Sequence, residues 1–433
     1  MFTANVNEYK SGPKTHVTLA VSILATAIFY SATCIGARQA DSQGTASVTP
    51  GVESSNKSDD QQKQIAAIKS ITSDAMKQYN LKALIVHVIT EGKQLYTEAL
   101  GESMSGVPAT PAMHFRNGAM AFTYIATMLL ELVDQKKVSL DDKLSKFLPD
   151  LPHADRITLK NLANMTSGYA DYVYEPEVLH GIYLDPFRQW TPQELIKIGV
   201  SKPMMFEPGS NWGYCHTNYV ILGQVIEQVT RMPLARAMRQ YILEPMDLKQ
   251  TQSFSTPQIP EPVLHTFSSE RRSELRVPAE VPFYEESTFW NPSWTTAEGA
   301  IQTTDITDMS KSMEAVGTGK LLSKESLAAQ VNPRLVGFGH AQDNCPGCHH
   351  MSEARNYGLG VVNLGPWITQ TKSFAGCGAT VGYLPSKKLT VAVAITYAPK
   401  AFDNEGNYTN VSDKIFTALG NALAPGILPK SEP

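Results

Sequence analysis

Apolar residues fall into a few clear rhythms along this 433-residue chain. Between Gln61 and Tyr79, Ile65, Ile68, Ile71 and Met76 recur at helical spacing and predict a helix. Lys82 to Ile89 and Gln94 to Leu100 are short β-rich runs split by Glu91-Gly92, the pattern of a hairpin. From Ala119 to Val133, Ile125, Met128, Leu129, Leu132 and Val133 share one face of a second helix. Tyr219 to Val229 is apolar on most sides and stops before Pro233, as a buried helix does. Residues 252–295 break the rhythm. They are rich in Pro, Ser and Glu and carry Phe283, Tyr284, Phe289 and Trp290, which predicts an irregular excursion packed over the domain. Ala379 to Leu384 and Leu389 to Thr396 flank Pro385-Ser386-Lys387-Lys388 and predict a second hairpin, and a last helix is expected over Val411 to Leu423. Strands near both ends with helices between them imply an α+β fold. One antiparallel sheet is built from both termini, a helical subdomain is inserted, and a cleft lies between them.

The start of the chain follows another pattern. Lys10 and Lys14 precede an uncharged run from Val17 to Gly36, closed by Arg38. A basic stretch followed by an apolar one reads as an export signal, and the run is also long enough to span a bilayer as an uncleaved anchor. Residues 1–37 are therefore expected to be an export signal or membrane anchor. Residues 38–60, with almost nothing apolar, are expected to be a flexible linker, and residues 61–428 the folded domain. Such a protein would be exported, either periplasmic or anchored and facing outward. A hydrophobic content of 42% with 18% charged residues is that of an ordinary globular chain. The net charge of −4, with no basic stripe, excludes nucleic acid as a partner.

One short segment concentrates metal-binding residue types. His340, Cys345, Cys348, His349 and His350 lie close together, and Cys345-Pro346-Gly347-Cys348-His349 has the spacing of a haem-attachment motif. Two thiols beside imidazoles are also a zinc or copper ligand set, with His340, Cys345, Cys348 and His349 as the candidates. An oxidising compartment favours a Cys345–Cys348 disulfide stapling a loop, and this is the preferred reading, with no cofactor.

Several segments, in order, carry a family resemblance: Phe115-Arg116-Asn117-Gly118-Ala119-Met120-Ala121-Phe122, Val138 to Leu144, Ile157 to Tyr169, Glu207 to Tyr214 with Thr217 to Gly223, Ala297 to Asp305, and Tyr357-Gly358-Leu359-Gly360. Over about residues 62–425 the chain resembles the serine β-lactamase and DD-peptidase superfamily, in its class C-like branch. Residues 340–352 look like an insertion. The resemblance implies acyl transfer, in which a serine attacks a carbonyl, a lysine one turn on lowers the cost of its deprotonation, and a tyrosine helps move the proton. A basic strand motif and backbone N–H groups would complete the site.

This sequence departs from that pattern where the chemistry sits. Ala119 and Phe122 stand at the serine and lysine positions. Tyr214 remains, but Cys215 follows it and His216 replaces an asparagine. The third motif aligns best with Gly376-Cys377-Gly378, which lacks a basic residue. A displaced Ser-x-x-Lys, Ser54 to Lys57, falls in the expected linker. Ala119, Phe122, Tyr214, His216, Gly376, Cys377 and Gly378 are thus the expected pocket, with Tyr214 and His216 as remaining catalytic candidates. The favoured expectation is a degenerate family member that binds a small-molecule, peptide-like, peptidoglycan-like or ester ligand. Two alternatives stay open: an active hydrolase using Cys215 or Cys377 with His216, or a Cys215–Cys377 disulfide across the cleft. A third is a metal- or haem-binding envelope protein.

Overall fold

A computed structural model of the protein describes residues 53–332 and 334–428. The expected signal or anchor and nearly all of the expected linker lie outside the described residues. Chain contacts separate residues 1–60 from residues 61–433, and of the first unit only 53–60, the start of α1, is described. Helix α1 (Glu53–Gln78) begins inside the segment that composition assigns to the linker. Residues 53–60 hold neither Gly nor Pro, so nothing there interrupts the helical run. Ile68, Thr72 and Ala75 form its buried face.

The first hairpin is β1 (Leu81–Thr90) and β2 (Lys93–Met104), turned by Glu91 and Gly92, both at positive φ, with β3 (Val107–Pro108) at its edge. Next come β4 (Phe115–Arg116), α2 (Met120–Asp134), α3 (Leu159–Ala163), α4 (Pro176–Leu184), α5 (Pro192–Val200), α6 (His216–Thr230) and α7 (Leu234–Met238). The Pro- and Ser-rich excursion is irregular as expected and contains only the two-residue strands β5 (Gln252–Ser253), β6 (Phe267–Ser268) and β7 (Glu285–Glu286). After it follow β8 (Gln302–Thr304), α8 (Ile306–Gly317), α9 (Lys324–Val331), β9 (Arg355–Tyr357), β10 (Val362–Leu364), β11 (Trp367–Phe374), β12 (Cys377–Leu384), β13 (Leu389–Tyr397) and α10 (Ser412–Leu423).

Eight strands form one sheet in the order β3-β2-β1-β13-β12-β11-β10-β9. The first long strand lies antiparallel beside the last, with Ile85 opposite Ala394 and Val86 opposite Val393. This joins the two terminal hairpins into the α+β sheet that the pattern predicts. Alternation sorts the side chains. Leu84, Val86 and Val88 of β1, with Val391, Val393 and Ile395 of β13, pack on the α1 and α10 side, where Phe416 meets Trp367. Ala83, Ile85, Ala392 and Ala394 face the larger core with α2, α6 and α8. The small residues there let α8 lie close to the sheet, and Gly317 sits where a Cβ would strike the ring of Tyr383. Helix α2 is buried along nearly its whole length between sheet and helical subdomain, so its first turn is placed at the cleft.

Candidate functional site

The first turn of α2 holds the positions where a serine and a lysine are expected. Ala119 is the N-cap and makes no side-chain capping bond. Its methyl offers no nucleophile, and its backbone N–H donates to the Thr371 carbonyl at 3.3 Å. A carbonyl attacked from position 119 would need such an N–H for its developing charge, and this one is engaged. One turn on, the ring of Phe122 stacks on Tyr219 with centroids 4.2 Å apart and planes 14° from parallel. It also meets Tyr214 at 5.8 Å and the edge of His216 at 5.5 Å. Phe122 is 2% exposed, so aromatic carbon fills the place of an ammonium group.

Tyr214 and His216 lead into α6 and are brought to Phe122, as the resemblance implies. The Tyr214 N–H donates to Gly347 O at 3.2 Å, and its ring lies 5.3 Å from His216 and 6.1 Å from Tyr357. Burial first, then the charges of Tyr357 and Asp171, push the Tyr214 phenol well above its ordinary range. His216 Nδ1 lies 2.8 Å from Asp171 Oδ2, and Asp171 Oδ1 accepts the Val173 N–H at 3.2 Å. A carboxylate only accepts, so Nδ1 carries the proton of this bond. The Asp171 side chain is 5% exposed, and it fixes the imidazole ring from within the subdomain.

The cysteines do not form the pairs considered above. Cys215 and Cys377 are both free thiols, so the cross-cleft disulfide is absent. Cys215 Sγ donates to Tyr169 O at 3.4 Å and Ala170 O at 3.6 Å. Burial, then the Asp171 charge, push this thiol well above its usual range. A thiol held against two carbonyls and a carboxylate is the reverse of an activated thiolate. Cys377 is fully buried at the start of β12, opposite Phe374 and Thr396, and His216 pairs with Asp171 rather than with either sulfur.

The third motif needs correction. Gly376 sits in the turn between β11 and β12, where a Cβ would lie 1.9 Å from Phe267 O, and Cys377 and Gly378 run back into the sheet. The strand that meets Ala119 is β11, at Thr371 and Lys372. Gly118 is packed so closely on Lys372 that a Cβ would fall 2.6 Å from the lysine Cβ. The cleft strand therefore does carry a basic residue, 5% exposed, and its charge helps offset the upward push of burial on the Glu270 carboxyl. Reading Ala375-Gly376 as the hairpin turn was the signal that would have moved the motif back onto β11.

Cys345 and Cys348 are joined in a disulfide, so neither sulfur is a thiolate for zinc, copper or haem. The imidazoles make other contacts. His349 Nδ1 is 3.3 Å from Gly347 O and its ring meets Trp212 edge-on at 4.4 Å, His350 Nδ1 is 3.1 Å from Gly339 O, and His340 Nε2 lies 3.5 Å from Asn211 Nδ2. Among the described residues no group of three or more His, Cys, Asp or Glu is arranged to hold a metal ion, which corrects the ligand set His340, Cys345, Cys348 and His349. The stapled loop instead abuts the Tyr214 segment. A Cβ on Gly213 would sit 3.1 Å from Cys348 Sγ, and one on Gly347 2.8 Å from Tyr214 O.

Thr123, one turn on from the expected serine position, is structural, with its hydroxyl donating to Gly360 O at 2.6 Å. On the far side of the turn, a cavity of about 30 Å³ is lined by Arg116, Gly118, Ala121, Thr296, Gln302 and Phe374, among others. A wider groove of about 370 Å³ on the surface of α9 contains none of the expected pocket residues.

Comparison with known proteins agrees with this architecture. The family description "Beta-lactamase" matches residues 68–414. A "Putative D-alanyl-D-alanine carboxypeptidase" of Salmonella agona is 30% identical over 152 residues, 32% of this chain and 34% of that protein. The "Putative penicillin-binding protein PbpX" of Bacillus subtilis is 28% identical over 146 residues, 34% of each. The matched stretch thus spans about a third of the length of these relatives. Among solved structures, the D-amino acid amidase of Ochrobactrum anthropi aligns with a TM-score of 0.67 at 21% identity, covering 83% of this chain and 99% of that one. The octameric penicillin-binding protein homologue of Pyrococcus abyssi aligns with a TM-score of 0.66 at 20% identity, covering 84% and 79%. With the fold, the order of the motifs and the family match in agreement, this chain belongs to the β-lactamase family.

Proposed function

We propose that this protein is a non-acylating member of its family, exported and either periplasmic or anchored facing outward, that binds a peptide-like, cell-wall or ester ligand at the cleft. The observation that carries this reading is the first turn of α2. Ala119 has no nucleophilic atom, its N–H is bonded to Thr371, and Phe122 is stacked on Tyr219 where a lysine would work. Loss of a nucleophile alone costs orders of magnitude in rate, and a filled lysine position removes the means of activating a replacement. The ligand class rests on relatives named for D-alanyl-D-alanine carboxypeptidase and penicillin binding, and on structural neighbours named for D-amino acid amides. Export rests on the basic and apolar pattern of residues 1–37.

The test is covalent labelling with a fluorescent penicillin, alongside hydrolysis of nitrocefin and p-nitrophenyl acetate, by the native protein and an Ala119→Ser/Phe122→Lys double variant. The expected result is no label and no turnover in the native protein, with retained binding of a D-Ala-D-Ala-terminated peptide by calorimetry. Turnover by the native protein that is lost in His216→Ala or Cys377→Ala would overturn the reading and assign the chemistry to a relocated group.

A further inference from the structure

The loop of residues 340–349 meets the wall of the cleft through one covalent ring. Cys345 and Cys348 are joined and enclose Pro346 and Gly347. Within that ring the Gly347 carbonyl accepts the Tyr214 N–H at 3.2 Å, and Cys348 pairs with Gly213 as an isolated antiparallel bridge. The approach is backbone on backbone. A Cβ on Gly213 would sit 3.1 Å from Cys348 Sγ and 3.2 Å from Cys345 Sγ, and one on Gly347 would sit 3.1 Å from Tyr214 N. Tyr214 and His216 follow directly and face Phe122, with ring centroids 5.8 and 5.5 Å from it.

The two arms of the loop are held differently. Side chains fix the first arm. Asn211 Oδ1 accepts the His340 N–H at 2.9 Å, Asn211 Nδ2 donates to His340 O at 3.2 Å, and Gln342 Nε2 donates to Met205 O at 2.7 Å. The second arm, residues 345–349, is held by the disulfide, the Tyr214 bond and the edge-on contact of His349 with Trp212 at 4.4 Å. Trp212 Nε1 is buried without a partner, so packing rather than hydrogen bonding seats that ring. So short a covalent loop takes little freedom from the unfolded chain, and its main effect is therefore local. Cys345 and Cys348 are 7% and 6% exposed, while Asn344, Pro346 and His349 around them are open to solvent, which puts the bond just beneath the surface.

We infer that the Cys345–Cys348 bond is a redox-operated latch on the Tyr214–His216 wall of the cleft, opened by a dithiol reductant. A thiolate of the reductant attacks one cysteine sulfur and the S–S bond breaks, leaving a mixed disulfide and a protein thiolate that takes up a proton. The reductant's second thiol then displaces the other cysteine. The protein gains two electrons and two protons, and the reductant leaves as its own disulfide. The freed arm no longer presents Gly347 O to the Tyr214 N–H, and the wall loosens beside the rings that face Phe122. The latch lies outside the first turn of α2 and needs no acylation there. Its effect on ligand binding rests on the function proposed above, whereas its effect on the wall does not.

The experiment compares the whole native protein as the disulfide and after excess dithiothreitol, with thiols counted by alkylation and mass spectrometry. Amide hydrogen exchange is followed across residues 211–216, and binding of a D-Ala-D-Ala-terminated peptide is measured by calorimetry. The expected result is a bond that opens in the folded protein, faster exchange confined to this segment and the loop, and peptide affinity weaker by about threefold to tenfold, the worth of one hydrogen bond. Cys345→Ser/Cys348→Ser should reproduce the reduced state and ignore the reductant. Should that variant fail to fold, the native protein in its two redox states still decides the matter. A bond that resists the reductant in the folded protein, unfolding of the whole domain on reduction, unchanged exchange at 211–216 after verified reduction, or equal peptide affinity in the two states would each overturn the latch. A peptide that binds neither state ends the ligand reading instead, and the exchange data then decide the latch alone.

Discussion

On one side of the first turn of α2, Phe122 lies against Tyr219, Tyr214 and His216 with no space between the rings. On the other side, six residues before Phe122 in sequence, Arg116 lies beside a small void and keeps two nitrogens unpartnered. The first side has been rebuilt in carbon. Replacing a lysine by phenylalanine in a closed site exchanges a costly buried charge for dispersion contacts and removes the need for a counter-ion. The second side keeps a polar frame whose charge no described residue pairs with. The contrast teaches that the positions where the resemblance expects reacting residues are not empty. Where the resemblance expects a lysine, aromatic packing fills the place, and where Arg116 stands, no described carboxylate pairs with it.

Substitutions at the two sides should therefore behave differently. Phe122→Ala is expected to cause the largest loss, about 3–5 kcal/mol by denaturant unfolding, because a fully enclosed ring leaves a cavity that its aromatic neighbours cannot close. Phe122→Lys alone should cost at least as much. A loss below about 1 kcal/mol would show a yielding pocket and erase the contrast. If Arg116→Met costs as much as Phe122→Ala, the two sides are equally well satisfied and the comparison fails.

Asp171→Ala should come next, at about 2–3 kcal/mol, since it removes the His216 partner and the Val173 cap and leaves buried donors unpaired. Asp171→Asn should recover part of that loss, because the amide oxygen can still accept from the imidazole. Opening the Cys345–Cys348 bond, by Cys345→Ser/Cys348→Ser or by reductant, should cost about 2 kcal/mol for so short a loop. Near-ultraviolet circular dichroism should also change, since the loop packs on Trp212 and Tyr214.

The smallest effect lies at the other end of α2, remote from both sides. Burial first, and then the charge of Asp134, raise the Glu131 carboxyl from 4.5 to about 7. The folded protein therefore holds a proton that the unfolded chain has released between those values, so stability falls as pH rises through this window. Glu131→Gln should remove that fall. The variant should gain about 1 kcal/mol over the native protein at pH 8 and nothing at pH 4, with the figure reduced for solvent screening of a half-buried group. Parallel stability curves for the two proteins from pH 4 to pH 8 would disprove it.

How far the sequence could be read follows from which interactions are local. The α2 helix, both terminal hairpins and α6 show in the spacing of apolar residues, because 3.6- and 2-residue periods are properties of the chain itself. That Ala119 and Phe122 stand where the resemblance expects a serine and a lysine is equally plain, since both lie in one helical turn. The pairing of His216 with Asp171 is not, because the two are 45 positions apart and meet only when the segment before α4 folds against α6. Lys372 was missed for a related reason. Its role depends on where β11 turns into β12, and a shift of a few residues in that turn carries the motif from the cleft strand into the hairpin.

The sequence by itself determined the fold class, the family and the absence of the usual nucleophile, because these rest on residue identity and short-range order. Tertiary structure decided what fills the vacated place, which cysteines pair, and that Arg116 is left with unpartnered nitrogens beside a cavity. Those outcomes depend on contacts among α2, β11, α6 and the excursion before β8. The energies of burial and of unpaired charge are settled only once distant segments are packed together.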